Sequence, residues 1–455
     1  MTHKKQRSLL NRANEACDML NKHIKEDNVI RIISHNDADG ISAAGVVANA
    51  IKEEGGQFHT SIVSRLKADF VKELAKESYK LFIFLDMGSA CLKYINRLKA
   101  DVIIADHHQV AEVEESENLV HVNPHLFEID GSSEISGAGS SYLSIRELGE
   151  NGKKHLAYFA LIGAFGDMQG QKGFLSVNKL ILDDGLDSKA IEIQDDLKIV
   201  SKNQEPLFKS LAYTLDPGLP GLTGDLEGSK EFLEKIGLSH GIKFMDLEDD
   251  DRDTLKNELM QVNPAIFGTT YILPKEIPQL RNLEEYAYLL DSCGKNKKFG
   301  LALGICLGER EKAMEVAIDQ ERKYREQLIK GMEWIKREGS INHDYFQYLY
   351  SEDNDLKRIM GTIASVGISI DLLPSDKPIL TLARLHKDIK ISGRTTREMV
   401  EKGVNLGKAL EDVSQSFGGQ GGGHDIAAGA IIPYKQKDNF LNLFNEIIEH
   451  QLQSS

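Results

Sequence analysis

The chain has 455 residues, 41% hydrophobic and 27% charged, with a formal net charge of -15 at pH 7. That length exceeds one ordinary core and sets an expectation of two or three domains, with the composition of a soluble globular protein. The acidity excludes polyanion binding by bulk electrostatics, so any nucleic-acid contact must come from local basic patches or bound metal. No apolar run of about 18 residues is present, and MTHKKQRSLLNRANEAC lacks a signal core, which sets a cytoplasmic expectation. Cys17, Cys91, Cys293 and Cys306 form no CxxC pair, as fits reduced thiols and neither a zinc site nor a disulfide framework.

Taken in order, Leu9, Leu10, Ala13, Ala16, Cys17, Leu20 and Ile24 recur at helical spacing and predict a leading amphipathic helix over 6–26. The stretch from Val29 to Val47 organises the rest of the chain. A β-branched run drops into His35, Asn36, Asp37, Ala38, Asp39 and Gly40, then resumes as a small-residue helical pattern. Such a run suits a buried parallel strand. Next come a weak strand at 58–63, a helix from 68 to 78, the strand LFIFLD ending at Asp86, a helix from 90 to 98, the strand DVIIAD ending at Asp106, and the short run LVHVNP. Alternating strands and helices predict a parallel, doubly wound sheet.

SGAGSSYLSIRELGE reads as a Gly/Ser loop feeding a helix, and a second helix through His155 to Gly166 ends in GAFGDMQG, with Asp167 between glycines. Helical segments from Leu175 lead to the Pro/Gly-rich break TLDPGLPGLTGD at 214–225. Beyond it lie a helix at 283–294 and a long charged helix from Arg310 to Glu338, expected to space two halves of the molecule. From Asp344 the character changes: DYFQYLY, PILTLARLH and DIKISGR read as strands, with helical patterns at 354–366 and 405–415, then FGGQGGGHDIAAGAIIP and a final helix to Gln451. A smaller C-terminal α/β domain is expected.

Three apolar strands end on acids, and in a parallel sheet those ends share one edge, so Asp37, Asp39, Asp86, Asp106, His107 and His108 should converge with His35. Singly, each has a plainer reading. Asp37 and Asp39 suit a strand-to-helix turn, Asp86 a helix N-cap, and Asp167 a loop turn. Jointly, carboxylates and imidazoles from four segments can build two metal sites about 3.5 to 4 Å apart with a shared carboxylate. Mixed oxygen and imidazole ligation suits manganese better than calcium, with zinc or cobalt left open. The ligand spacing of an EF-hand and the lysine loop of a nucleotide-driven transferase are both missing.

Glycines 421–423 let backbone N–H groups approach a phosphate while His424 adds a donor, and Arg394 can bind phosphate through its planar fork. A flexible loop with a surface arginine is the alternative. Lys295, Lys297 and Lys298 in CGKNKKFG read either as contacts to backbone phosphates or, more commonly for such runs, as a solvated loop.

HNDADG, the Asp86 strand end, DHH at 106–108 and the Asp167 loop resemble the four successive motifs of the DHH phosphoesterase superfamily. SGR at 392–394 and GGGHDIAAGA at 421–430 resemble the DHH-associated C-terminal domain. The resemblance implies a DHH domain at 1–213, a helical middle region with connecting helix at 214–340, and a DHH-associated substrate-binding domain at 341–455. The form of the first motif is similar to the RecJ-like branch, and the layout to archaeal RecJ-like nucleases, including the replisome-associated kind that binds the GINS complex. It implies two manganese ions, with magnesium or cobalt as substitutes, held by Asp37, Asp39, Asp86, His107 and Asp167. Asp86 would be the bridge and His35 a ligand or its support. His108 would face the scissile phosphate, and Asp106 would orient a histidine. Arg394, Gly421, Gly422, Gly423 and His424 would hold a terminal phosphate on a wall facing the metals. The implied activity is exonucleolysis of single-stranded DNA or RNA in replication or repair. The alternatives are a phosphodiesterase for short oligonucleotides or cyclic dinucleotides, and a replisome scaffold with a vestigial site.

Overall fold

The computed structural model describes residues 2–110, 116–170, 173–353 and 356–454. The chain divides into two units, 1–195 with 269–322 and 196–268 with 323–455.

The first unit opens with α1 (Thr2–Lys25), whose Leu9, Ala13, Ala16 and Leu20 are buried, as their spacing predicts. There follow β1 (Ile30–His35), α2 (Ala38–Glu53), β2 (Phe58–Val63), α3 (Ala68–Leu74), β3 (Leu81–Leu85), α4 (Leu92–Ile95), β4 (Asp101–Ala105) and β5 (Leu119–Val122). The five strands are parallel, in the order β2-β1-β3-β4-β5. The central strand β3, LFIFL, is apolar throughout because both faces are covered, whereas the edge strand β2, FHTSIV, is only partly buried. Ile30, Ile32, Leu81, Ile83, Leu85 and Ile103 point into one core, while Ile33, Phe82, Phe84, Val102 and Ile104 pack with Val71 and Leu74 of α3 and Leu92 and Ile95 of α4 in another. Connections leave β1 in opposite directions, toward β2 and β3, so the switch point lies at β1 and β3, where such sheets open a crevice beyond their carboxyl ends.

α5 (Gly137–Leu143), α6 (Ala157–Gly166) and α7 (Ser176–Asp187) complete the first stretch. The segment SGAGSSY, expected as a loop, is already helix: Ser136 caps α5 by accepting from Gly139 N at 3.1 Å. The expected run of helices up to 214 is also interrupted, by β6 (Glu192–Leu197), which pairs with β7 (Phe267–Ile272) as a two-stranded sheet. EIQDDL is largely exposed, so it carries no apolar period, and its partner lies about 70 residues further on.

Between those strands α8 (Leu207–Tyr213), α9 (Leu226–Lys235) and α10 (Asp249–Val262) enclose Leu211, Leu219, Leu233, Leu255 and Leu259. After β7 the chain returns to the first unit with α11 (Leu283–Lys295) and α12 (Phe299–Cys306), which pack on α2, and α13 (Lys312–Glu338) leads on to the second.

The rest of the second unit comprises β8 (Ile341–Asn342), β9 (Gln347–Ser351), α14 (Met360–Ser369), β10 (Ile379–Leu385), β11 (Asp388–Arg394), α15 (Arg397–Glu401), α16 (Leu406–Ser416), β12 (Gln420–Gly423), β13 (Ala427–Pro433) and α17 (Lys437–Gln453). Of the helical pattern expected at 354–366, residues 354–355 lie outside the described residues. The strands form one sheet, β12-β13-β11-β10-β9-β8, parallel only between β9 and β10. Its alternating residues Ile389, Ile391, Ala430 and Ile432 pack on Leu406, Leu410, Phe440 and Phe444. The glycine run is a strand at the sheet edge and not a loop. A Cβ on Gly423, at φ 142°, would lie 2.6 Å from Ala428 Cα, and one on Gly421 would strike the Leu410 carbonyl, so tight packing itself requires glycine there.

Candidate metal centre

Strand register sets the site level. Ser34 pairs with Leu85 and Leu85 with Ala105, so His35, Asp86 and Asp106 emerge side by side at the carboxyl ends of β1, β3 and β4. Asp86 turns out of the sheet at φ 54°, a left-handed conformation that costs a non-glycine residue about 1 kcal/mol or more and is held here by its N–H donating to Ala105 O at 2.8 Å. Asp37 is the N-cap of α2, accepting from Gly40 N at 3.0 Å. The helix-start reading of Asp37 is therefore correct, and its second oxygen still faces the crevice, 2.7 Å from His35 Nδ1.

Asp39, Asp86 and His107 are each at most 2% exposed. Asp39 accepts from Gly137 N at 2.6 Å and Ala138 N at 2.8 Å, at the start of α5. His107 Nε2 stands 3.2 Å from Asp167 Oδ2, 3.3 Å from Asp86 Oδ1 and 3.6 Å from Asp39 Oδ2. Its Nδ1 lies 2.7 Å from Gly131 O, to which it donates, which leaves Nε2 as the lone pair turned toward the carboxylates. Asp167 ends α6, its N–H donating to Gly163 O.

Asp106 has a different task. Its Oδ1 accepts from His107 N, His108 N and, at 2.8 Å, from His108 Nδ1, while Oδ2 accepts from Ser89 N at 2.9 Å. Despite burial, His108 beside it holds this carboxyl well below the usual range, so it stays an acceptor and fixes the proton of His108 on Nδ1. Asn123 braces the arrangement, donating to His108 O at 2.9 Å and to the Ser89 hydroxyl at 2.8 Å, and that hydroxyl lies 2.9 Å from His121 Nε2. Burial pushes His121 down to about 4, so it is neutral and accepts. Gly131, Ser89, His121 and Asn123 carry no sequence signal of this role apart from the NP step after β5.

The donor set fits cations. Ligand atoms of His35, Asp37 and Asp86 lie within 4.8 Å of one another, as do those of Asp39, Asp86 and His107, and Asp86 belongs to both groups. Asp86 Oδ1 is buried without a hydrogen-bond partner among the described residues, with His107 Nε2 3.3 Å away. Lone pairs converging on a point without pairing are what an ion would satisfy. Without one, protons take that part. Burial, then Asp86 and Asp167, push Asp39 well above the usual carboxylate range; burial, with Asp86 and Asp37 outweighing His107, pushes Asp167 up to about 6. Despite burial, neighbouring carboxylates raise His35 and His107 well above the ordinary histidine value.

Every raised group must release its proton before it can ligate, so cation affinity should climb as pH rises through about 6, where Asp167 titrates, and keep climbing above it until His35 and His107 have lost theirs. On Asp167 alone, affinity at pH 5 is about tenfold below its value at pH 7.5. Calorimetric titration with Mn2+ in two buffers of different ionisation enthalpy reads both the affinity and the proton release; equal affinities without release would contradict the assignment.

Arg394, Gly421, Gly422, Gly423 and His424 lie in the second unit, on β11, β12 and the turn after it. Arg394 donates from Nε to Ser365 Oγ at 3.0 Å and from Nη1 to Gly393 O at 2.8 Å, and burial depresses its pKa.

Residues 29–164 match the DHH family N-terminal domain, 199–265 the DHH-CID domain and 347–450 the DHHA1 domain, so fold and motif order define one class of protein. The chain belongs to the DHH family. An uncharacterised protein of Methanocaldococcus jannaschii is 32% identical over 432 residues, covering 93% of this chain and 94% of that one. The single-stranded-DNA-specific exonuclease RecJ of Bacillus subtilis is 27% identical over 117 residues, 24% of this chain and 15% of that protein. Among solved structures, CDC45 from Entamoeba histolytica has a TM-score of 0.69 at 10% identity, covering 97% of this chain and 99% of that one. RecJ from Thermus thermophilus in complex with Mn2+ has 0.62 at 15% identity, covering 96% and 55%. The parallel sheet and RecJ-like architecture expected from the sequence are thus present.

Proposed function

We propose that the protein is a metal-dependent phosphodiesterase that releases nucleotides from one end of single-stranded DNA or RNA, in replication or repair and in the cytoplasm. The observation that carries this reading is Asp86, shared between the His35, Asp37 and Asp86 group and the Asp39, Asp86 and His107 group. We assign one manganese ion to each group, with magnesium or cobalt as substitutes, and Asp167 to the second. When bound, such a pair polarises a phosphoryl oxygen and acidifies water.

The chain's own groups do the rest. Asp106 keeps His108 Nε2 turned away from itself, toward the phosphoryl group, where the imidazole stabilises developing negative charge. Gly131 holds His107 in the tautomer that presents Nε2. On the second unit, Arg394, the backbone of Gly421, Gly422 and Gly423, and His424 take a terminal phosphate.

The relative from Bacillus subtilis is named for single-stranded DNA, which supports a strand substrate over a small one. A scaffold that docks replication proteins such as GINS is the second reading; retention of Asp37, Asp39, Asp86, His107 and Asp167 in the chain favours the enzyme over it. Digestion of end-labelled single-stranded DNA and RNA of graded length decides among these. With Mn2+ we expect stepwise shortening from one end, abolished by chelator. A rate that collapses beyond a few nucleotides would favour a small-substrate hydrolase, and no cleavage of any strand would leave the scaffold.

A further inference from the structure

We infer that Lys295, held by Asp291 on the last turn of α11, contacts the phosphodiester beside the Asp37 side of the metal centre. The inference rests on the phosphodiesterase reading and names a substrate contact within it. CGKNKKFG is only partly a loop: Lys295 is the final residue of a helix, and the helix is seated on the site. Gly294 approaches the Asn36 carbonyl so closely that a Cβ would overlap it, which fixes the turn against the His35, Asn36 and Asp37 segment. Asn282 caps the other end of α11 by accepting from Glu284 N and Glu285 N, and Asn296 donates to Gln320 O at 3.2 Å just beyond it. The ammonium is thus carried by a rigid element.

Lys295 Nζ lies 3.6 Å from Asp291 Oδ1, one helical turn back, with the two side chains 33% and 27% exposed. A helix end with a solvated i,i+4 pair would account for that geometry alone. What sets this pair apart is its surroundings. Burial pushes Asp291 up, with the charge of Asp37 adding to it, and the Lys295 charge joins His35 in holding Asp37 down.

Charge balance gives the lysine its task. Asp37, Asp39, Asp86 and Asp167 together neutralise two divalent ions, so a phosphodiester arrives as an uncompensated anion and gains further charge as its bond breaks. Lys295 can leave Asp291 for that anion, because a 3.6 Å pair with both side chains partly in solvent loses little when it opens. Lys297 and Lys298 are exposed beyond the helix, and Lys298 is the N-cap residue of α12.

The test compares Lys295→Gln, Lys295→Arg and Asp291→Asn with the wild type on single-stranded DNA in Mn2+, at several salt concentrations. A wild type that does not cut refutes the phosphodiesterase reading itself. Given a cutting wild type, Lys295→Gln should lower kcat/KM about 10- to 100-fold with manganese stoichiometry and Tm unchanged, and Lys295→Arg should restore most of it. The slope of log KM against log salt should fall by about 0.7, as for one lost phosphate contact to a single strand. Asp291→Asn, which removes the competing partner, should lower KM; this variant decides the matter should Lys295→Gln fold poorly. Activity of Lys295→Gln within twofold of wild type, an unchanged salt slope, or an unchanged KM for Asp291→Asn overturns the inference.

Discussion

Replacing Asp86 by asparagine should abolish cleavage, by a factor on the order of 10³ or more, and remove both ions together. Among the described residues Asp86 is the side chain common to the two groups to which an ion is assigned, so its substitution should strip both. Asparagine is the informative choice because it tolerates the left-handed backbone at φ 54°, whereas alanine there adds a conformational penalty of about 1 kcal/mol. The metal-free variant should also melt no lower than metal-free wild type, since one negative charge leaves a buried cluster that holds Asp37, Asp39 and Asp167. Manganese titration, thermal melting and turnover on the same preparation check all three. One ion retained at full affinity would show that the bridge is misassigned.

A methyl group at Gly163 should damage the site without replacing a ligand. Its Cβ would overlap Asp39 Oδ1 and come within 2.5 Å of Ala138 Cβ, where Asp39 already accepts from two backbone N–H groups of α5. Overpacking of this kind costs about 1 to 3 kcal/mol, and the displaced carboxylate should weaken metal binding about 10- to 100-fold. Gly300, exposed near the start of α12 with nothing within 4 Å of its added Cβ, is the control: alanine there should be neutral or stabilise by a few tenths of a kcal/mol. Equal Tm and equal manganese affinity for the two variants would refute the close fit of α6 against Asp39.

These two glycines mark the line between what pattern reveals and what packing reveals. Strand ends in acids were readable because a buried parallel strand is a continuous apolar run, and any charge that closes it stands out. The pairing of Asp106 with a histidine was expected from the resemblance and from the habit of ligating imidazoles to donate their other N–H to a carboxylate; the histidine it holds is His108, while His107 donates to Gly131 O. The Gly131 carbonyl that orients His107, and the α5 N–H groups that hold Asp39, lie 24 and 98 residues from their partners, and a backbone group has no residue type to betray it. The pairing of β6 with β7 escaped because an exposed two-stranded ribbon draws its stability from the ladder and shows no apolar period. Lys295 looked like one of three loop lysines until Gly294 showed its helix pressed onto the HNDADG turn.

The return of 269–322 to the first unit also governs how the molecule can be made. Tyr286, Leu290 and Ile305 of that segment share a core with Ile41, Val47 and Phe159, and Cys306 sits against Gly45 of α2. As the polypeptide leaves the ribosome, the greasy flank of α2 must therefore wait from residue 53 to residue 306, some 253 residues of synthesis, before its cover is complete. At roughly 5 to 20 residues per second, that interval is on the order of tens of seconds, long enough for a chaperone to bind the half-finished domain.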